Sequence, residues 1–106
     1  MTTLYISGGM SGLPDHNFPA FFAAEDLLTA AGYQVLNPAR QGIIKGWEWE
    51  DYLRHDLHEV LRADGVATLP GWRLSKGARL EVYVAQALKM DVRAVSTWSK
   101  RAAVAA

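Results

Sequence analysis

The feature that most narrows the fold of this chain is an alternation: four short apolar runs, separated by three stretches of helical period. The runs are Leu4-Tyr5-Ile6, Tyr33-Gln34-Val35-Leu36, Val66-Ala67-Thr68-Leu69 and Val92-Arg93-Ala94-Val95. The first helical stretch carries Phe18, Phe21, Phe22, Leu27 and Leu28, with Asp15 or Asn17 as its cap, Pro19 in its first turn and Gly32 at its end. The second, Trp47 to Arg62, places Trp49, Leu53, Leu57, Val60 and Leu61 on a core stripe, with Tyr52, Asp56 and Glu59 on a neighbouring line. The third, from about Gly77 to Lys89, presents Leu80, Val84, Ala87 and Leu88 at the spacing that would cover a sheet. Strand, helix, strand with short returns is the pattern of right-handed parallel crossovers. It predicts an α/β fold, a three-layer α/β/α sandwich around a small parallel sheet of four to five strands, flavodoxin-like or Rossmann-like. Val66 to Leu69, short and continuously apolar, would be central, with the loops after Ile6 and Leu69 adjacent at one edge of the sheet.

A chain of 106 residues, half of them apolar, makes one domain. Its expected span is residues 1–98, with 99–106 a flexible C-terminal tail. The whole stretch from Ser96, with Trp98, Lys100 and Arg101, reads as disordered or as a cover for a partner subunit. Eleven basic residues balance eleven acidic ones, so there is no electrostatic footprint for duplex nucleic acid or an anionic membrane. With no cysteine, disulfides, thiolate metal sites and cysteine nucleophiles are excluded. No apolar stretch approaches membrane-spanning length and no signal peptide opens the chain, which reads as soluble and cytoplasmic.

Ligands of open α/β sheets bind beyond the carboxyl ends of the strands. Two stretches occupy such places. Ser7-Gly8-Gly9-Met10-Ser11-Gly12 has the glycines and hydroxyls that let backbone N–H groups approach an anion or a sugar, although a plain tight turn fits it as well. It is neither a Walker loop nor a dinucleotide fingerprint. The stretch Leu69 to Glu81 runs from the third strand through a loop into a helix, with Ser75 and Gly77 at the helix start and Arg73, Lys76 and Arg79 around it. That arrangement suits a monophosphate, or is a solvated basic loop. Ala39 to Gly46 reads as an active-site loop. Asp56 and Glu81 are the acids that such a fold would bring toward the crevice, as nucleophile and general acid and base. Trp72 is divided between stacking on a base and packing, and Trp49 is assigned to packing. His55 and His58, i and i+3, lack the further ligands zinc requires, so no metal and no cofactor is expected.

Several blocks together carry a family resemblance: Tyr5-Ile6-Ser7-Gly8-Gly9-Met10-Ser11-Gly12, Asn17-Phe18-Pro19-Ala20-Phe21, Asn37-Pro38, Trp49-x-x-Tyr52-x-Arg54-x-Asp56-Leu57, Ala63-Asp64-Gly65-Val66, Leu69-Pro70-Gly71-Trp72 and Ser75-x-Gly77-Ala78-x-x-Glu81. The chain resembles the phage and bacterial family DUF4406, and through it the nucleoside 2-deoxyribosyltransferase-like superfamily. The likeness extends to about Val95. It implies that Glu81 is the nucleophile that attacks C1′, that Asp56, eight residues before Asp64, assists proton transfer and base recognition, and that Tyr5 orients the nucleophile or the sugar. It implies a substrate-binding set of Ser7, Gly8, Gly9, Met10, Ser11, Gly12, Asn17, Trp72, Ser75 and Gly77. The position six before the nucleophile is Asp in transferases acting on free nucleosides and Ser in the 5′-monophosphate N-glycosidases, so Ser75 tilts the substrate toward a nucleotide. The implied location is the cytoplasm of a bacterium or a phage-infected host.

The expected function is therefore cleavage of the N-glycosidic bond of a (deoxy)nucleoside 5′-monophosphate, by hydrolysis or base transfer through a glycosyl-enzyme on Glu81. A nucleotide-binding sensor without turnover and a structural or partner-binding protein are the other two readings. A homodimer or higher homo-oligomer is expected, because a short, apolar, tryptophan-rich domain has surface to hide and the resembling families share sites between subunits.

Overall fold

The computed structural model describes residues 1–101. Strands β1 (Thr3–Ser7), β2 (Gln34–Leu36), β3 (Gly65–Thr68) and β4 (Asp91–Ala94) form one parallel sheet in the order β2-β1-β3-β4. Helices α1 (Phe18–Ala30), α2 (Trp49–Arg62) and α3 (Lys76–Ala87) are the three crossovers, and α4 (Val95–Lys100) follows β4. The expected α/β architecture is therefore present with four strands, β1 and β3 inside and β2 and β4 at the edges.

Alternation along β1 divides the core into two layers. Leu4 and Ile6 point to the side where Phe21, Leu28, Val95 and Trp98 pack, whereas Tyr5 shares the other side with Val60, Val66 and Ala85. Every residue of β3 is buried, as expected of an interior parallel strand covered on both faces. Gly65 is required there, since a Cβ would stand 2.8 Å from the Asp91 carbonyl oxygen.

Four sequence expectations are corrected. Leu61, expected on the core stripe of α2, is exposed, the fully buried position there being Val60. The sheet-facing line of α3 is Ala78, Glu81, Val82 and Ala85, not Leu80, Val84, Ala87 and Leu88. Leu80, Ala87 and Leu88 are exposed and Val84 is half-buried. Small side chains let the helix lie close to the sheet, and the stripe of larger apolar residues is left pointing outward. The stretch from Ser96 is not a tail at its start: Val95 and Trp98 are buried in α4. Trp98 Nε1 donates to the Val66 carbonyl at 2.9 Å, and the Tyr33 hydroxyl donates to the Arg101 carbonyl at 2.6 Å. Residues 102–106 of the expected tail lie outside the described residues. Finally, neither Asp15 nor Asn17 caps α1 through its side chain; both lie in a short left-handed turn that precedes the helix. Among the described residues no helix is long and apolar enough to cross a membrane.

Candidate active site

Beyond the carboxyl ends of β1 and β3 the chain departs in opposite directions, from β1 toward β2 and from β3 toward β4, and a crevice opens where they part. The two loops meet there. The Leu69 N–H donates to the Ser7 carbonyl at 2.9 Å, and a Cβ on Gly8 would come within 2.8 Å of Leu69 Cδ1. Only glycine permits this approach.

The crevice is a cavity of about 310 Å³. Its lining falls into two chemical groups. The polar group is Tyr5, Ser11, Asp56, Ser75 and Glu81, with the backbone of Gly8 and Gly77. The apolar group is Phe18, Phe21, Trp49 and Tyr52, with Met10, Pro38, Ile43 and Leu53. Glu81 comes from the second turn of α3, on its sheet-facing line, and is buried. Its carboxylate accepts two hydroxyl hydrogen bonds from β1, Tyr5 to Oε2 at 3.0 Å and Ser7 to Oε1 at 2.7 Å. Alternation puts Tyr5 and Ser7 on the same face of β1, which is why one carboxylate reaches both. Asp56 comes from α2, seven residues after Trp49 and four after Tyr52, so all three share one side of that helix.

Tyr52 also holds the loop before α2. Its hydroxyl accepts from the Ile44 N–H at 2.8 Å and donates to the Ile44 carbonyl at 3.2 Å. Gly42 and Ile43 of the same loop line the cavity, so part of the stretch expected as an active-site loop borders it. Beside them, the Gln41 amide is buried with neither Nε2 nor Oε1 paired among the described residues. The side chain of Ser75 caps α3, its hydroxyl accepting from the Ala78 N–H at 3.2 Å.

Not every residue expected at the site lines the cavity. Ser7 sits beneath it, holding Glu81. Asn17 donates to the Gly9 carbonyl at 3.0 Å and so braces the first loop; neither Asn17 nor Gly9 is in the lining. Gly12, with φ of 77°, serves the turn that follows. Trp72 is outside the lining, with the Arg73 guanidinium 4.5 Å from its ring centroid; the tryptophan that enters the cavity is Trp49. Of the three cations around the start of α3, Arg79 donates to the Arg73 carbonyl, while the Lys76 ammonium stands 4.7 Å from the Trp49 ring centroid. His55 contacts Asp56 at 3.5 Å and Glu59 at 3.9 Å. Among the described residues no group of three or more His, Asp or Glu side chains converges as metal ligands would.

The sequence profile of the family described as a domain of unknown function, DUF4406, matches residues 2–94. The chain belongs to the DUF4406 family. No curated protein matches it. In this DUF4406 chain the matched span closes with β4, so it contains every residue that lines the cavity and omits α4, whose Trp98 nevertheless completes the core.

The two acids of the DUF4406 cavity are both held away from their ordinary values. Burial pushes the Glu81 carboxyl up to about 8, with the charge of Asp56 adding to it and the hydroxyls of Ser7 and Tyr5 opposing it. Burial also raises Asp56, to about 6, against the contact with His55. Tyr5 is raised well above its ordinary value, first by burial and then by the charges of Glu81 and Asp56, so its hydroxyl stays protonated and lies in the field of both acids. Two carboxyls with separated proton affinities, one fixed by two hydroxyls and one on the neighbouring helix α2, can divide nucleophilic and acid-base work.

Proposed function

We propose that this cavity cleaves the N-glycosidic bond of a (deoxy)nucleoside 5′-monophosphate, and that the chain shares the chemistry of the nucleoside 2-deoxyribosyltransferase-like superfamily. The observation that carries the reading is the buried Glu81 carboxyl, held by Tyr5 and Ser7 in the lining of a cavity that also contains Asp56. A Glu81 oxygen attacks C1′; the C1′–N bond breaks, its electron pair goes to the base nitrogen, and Asp56 protonates the leaving base. Water then attacks C1′ of the glycosyl-enzyme, gives its proton to Asp56 and frees Glu81, which is hydrolysis; a second base in place of water gives transfer. The aromatic group, Phe18, Trp49 and Tyr52, supplies faces for a base. The first turn of α3, the Ser11 hydroxyl and Lys76 supply donors for a 5′-phosphate. Incubation with a panel of deoxynucleosides and their 5′-monophosphates, followed by chromatography for free base, tests it; intact nucleotides at every pH would sink it.

A nucleotide sensor without turnover is the second reading, and one observation favours it: a carboxyl raised to about 8 is mostly protonated at neutral pH and is then a weak nucleophile. Binding of nucleotide without release of base would select it.

Ser75→Asp is expected to shift preference from the 5′-monophosphate to the free nucleoside by about tenfold or more, because a carboxylate would face the phosphate in a partly desolvated crevice. Aspartate caps helices as well as serine does, so α3 is preserved. The measurement is kcat/KM for a matched pair, and an unchanged ratio would remove Ser75 from phosphate recognition.

We further propose that a second copy of the chain covers the outer faces of α2 and α3. Leu61, Leu80, Tyr83 and Leu88 are exposed there by 38% to 71%, and a neutral chain opposes self-association little. Light scattering at micromolar concentration should give a dimer or larger, and Tyr83→Lys with Leu88→Lys should give a monomer. A wild-type monomer would contradict the proposal.

A further inference from the structure

Three consecutive residues with side chains, Asp15, His16 and Asn17, have φ of 51°, 54° and 60°. The chain thus makes a left-handed turn without a glycine. In this region Cβ crowds the following carbonyl, and among side-chain-bearing residues Asn, Asp and His tolerate it best. The sequence Asp-His-Asn supplies just those types. Burial does not explain the turn, since Asp15 and His16 are exposed and Asn17 is half-buried. What the turn fixes is direction. Asn17 Nδ2 donates to the Gly9 carbonyl at 3.0 Å, tying the turn to the loop that leaves β1, and the Phe18 N–H donates to the Asp15 carbonyl. Held this way, the His16 imidazole lies 5.5 Å from the Phe18 ring, centroid to centroid, and both rings line the cavity.

Backbone held in a sparsely populated region, at the mouth of a cavity and without burial, points to a ligand rather than to the fold. We propose that the turn Asp15–Asn17 is a ligand clamp and that His16 is a specificity-determining residue, which receives the heteroaromatic base of the nucleotide beside Phe18. The inference takes its ligand from the nucleotide reading and deepens it: the substrate needs a planar base, and one wall of the base subsite is a histidine set by strained backbone. A phosphate is the less suited partner for His16, because its ring neighbour is aromatic and the start of α3 already gathers N–H donors and Lys76.

The test is calorimetric binding of deoxynucleoside 5′-monophosphates in a Glu81→Ala background, which prevents turnover, together with thermal melting. Asp15→Gly and His16→Gly should each raise Tm by about 4 °C, because glycine adopts positive φ without strain. Asp15→Gly should leave Kd within about twofold, whereas His16→Gly should weaken it about tenfold, the worth of one base-aromatic stack. His16→Phe should restore most of that loss. Equal Kd values for the two glycine variants, or a His16→Phe protein that binds no better than His16→Gly, would overturn the clamp. The two readings fail separately. Nucleotide binding that depends on His16, without base release by the wild-type chain, keeps the clamp and removes the glycosidase. Base release by a His16→Gly chain with unchanged KM does the reverse, and a panel with no bound nucleotide removes both.

Discussion

Replacing Glu81 with alanine is expected to lower base release by about a thousandfold or more while nucleotide binding changes little, because the nucleophile forms its bond only along the reaction path. The phosphate donors at the start of α3 and the aromatic lining are untouched by the change. The pH dependence of the wild-type chain follows from the same pair of acids. Reaction needs one proton on the pair, with Glu81 ionised and Asp56 protonated. Below about 6 both acids are protonated and the nucleophile is lost; above about 8 both are ionised and the leaving base has no donor. The profile of kcat/KM should therefore be a bell with limbs near these two values and a maximum between them. Burial raises Glu81 further than Asp56 and so favours the proton on Glu81; it has to pass to Asp56 before reaction, and Tyr5, hydrogen-bonded to Glu81 and in the field of both acids, is placed to carry it. Tyr5→Phe should lower kcat more than it raises KM. Undiminished turnover in Glu81→Ala would falsify the assignment of the nucleophile.

The sheet was legible because its signals are local. Short, largely apolar strand runs, glycine at the end of α1 and short returns between elements specify parallel crossovers, and parallel pairing then brings the loops after β1 and β3 together. That Glu81 and Asp56 both reach the crevice was legible from their helix positions. The burial of Glu81 was not, because the apolar stripe of α3 at Leu80 and Leu88 suggested a different inward face. Helical period identifies an apolar line, but it cannot say whether the line meets the sheet or the outside. Here Ala78 and Ala85 decide the matter by allowing close packing, and Glu81 goes inward with them. The aromatic half of the cavity was within reach of the same spacing argument: Trp49, Tyr52 and Asp56 share one side of α2. From sequence alone Trp49 reads as a packing residue, because a tryptophan at a helix start usually packs. The anchoring of Trp98 was hidden by the polar residues of Ser96 to Arg101. Its partners, Tyr33 and the Val66 carbonyl, are distant in sequence. The left-handed turn was masked by its composition, since Asp and Asn before an apolar run read first as helix caps.

A second large effect is expected on stability, with no reference to substrate. The Glu81 carboxyl has an ordinary value near 4.5 and stands at about 8 in the folded chain. Below pH 4.5 both folded and unfolded chains carry the proton, and the side chain contributes its full share. As pH rises from there to about 8 the unfolded chain ionises Glu81 while the folded chain keeps the proton, so stability is lost across that window and levels off above it. The loss is roughly 4 kcal/mol by the linkage relation, a large fraction of the stability of a domain this size. Asp56, raised from 3.8 to about 6, works in the same direction over the lower part of the window. Glu25, lowered by its hydrogen bond from Arg40, works in the opposite direction at acid pH, but the Arg40 side chain is exposed and solvent screens the pair. Glu81→Gln keeps the shape of the side chain and removes the charge; its carbonyl still accepts from Ser7, and the Tyr5 hydroxyl can turn to accept from the amide. Urea unfolding should give nearly equal midpoints for the two proteins near pH 4.5. At pH 8.5 the midpoint of Glu81→Gln should be well above that of the wild type, with the m-value unchanged. Midpoints that run parallel from pH 4.5 to 8.5 would show that Glu81 ionises in the folded chain as it does in water. The carboxyl would then be a ready nucleophile at neutral pH, and the acid limb of the rate profile would move down with it.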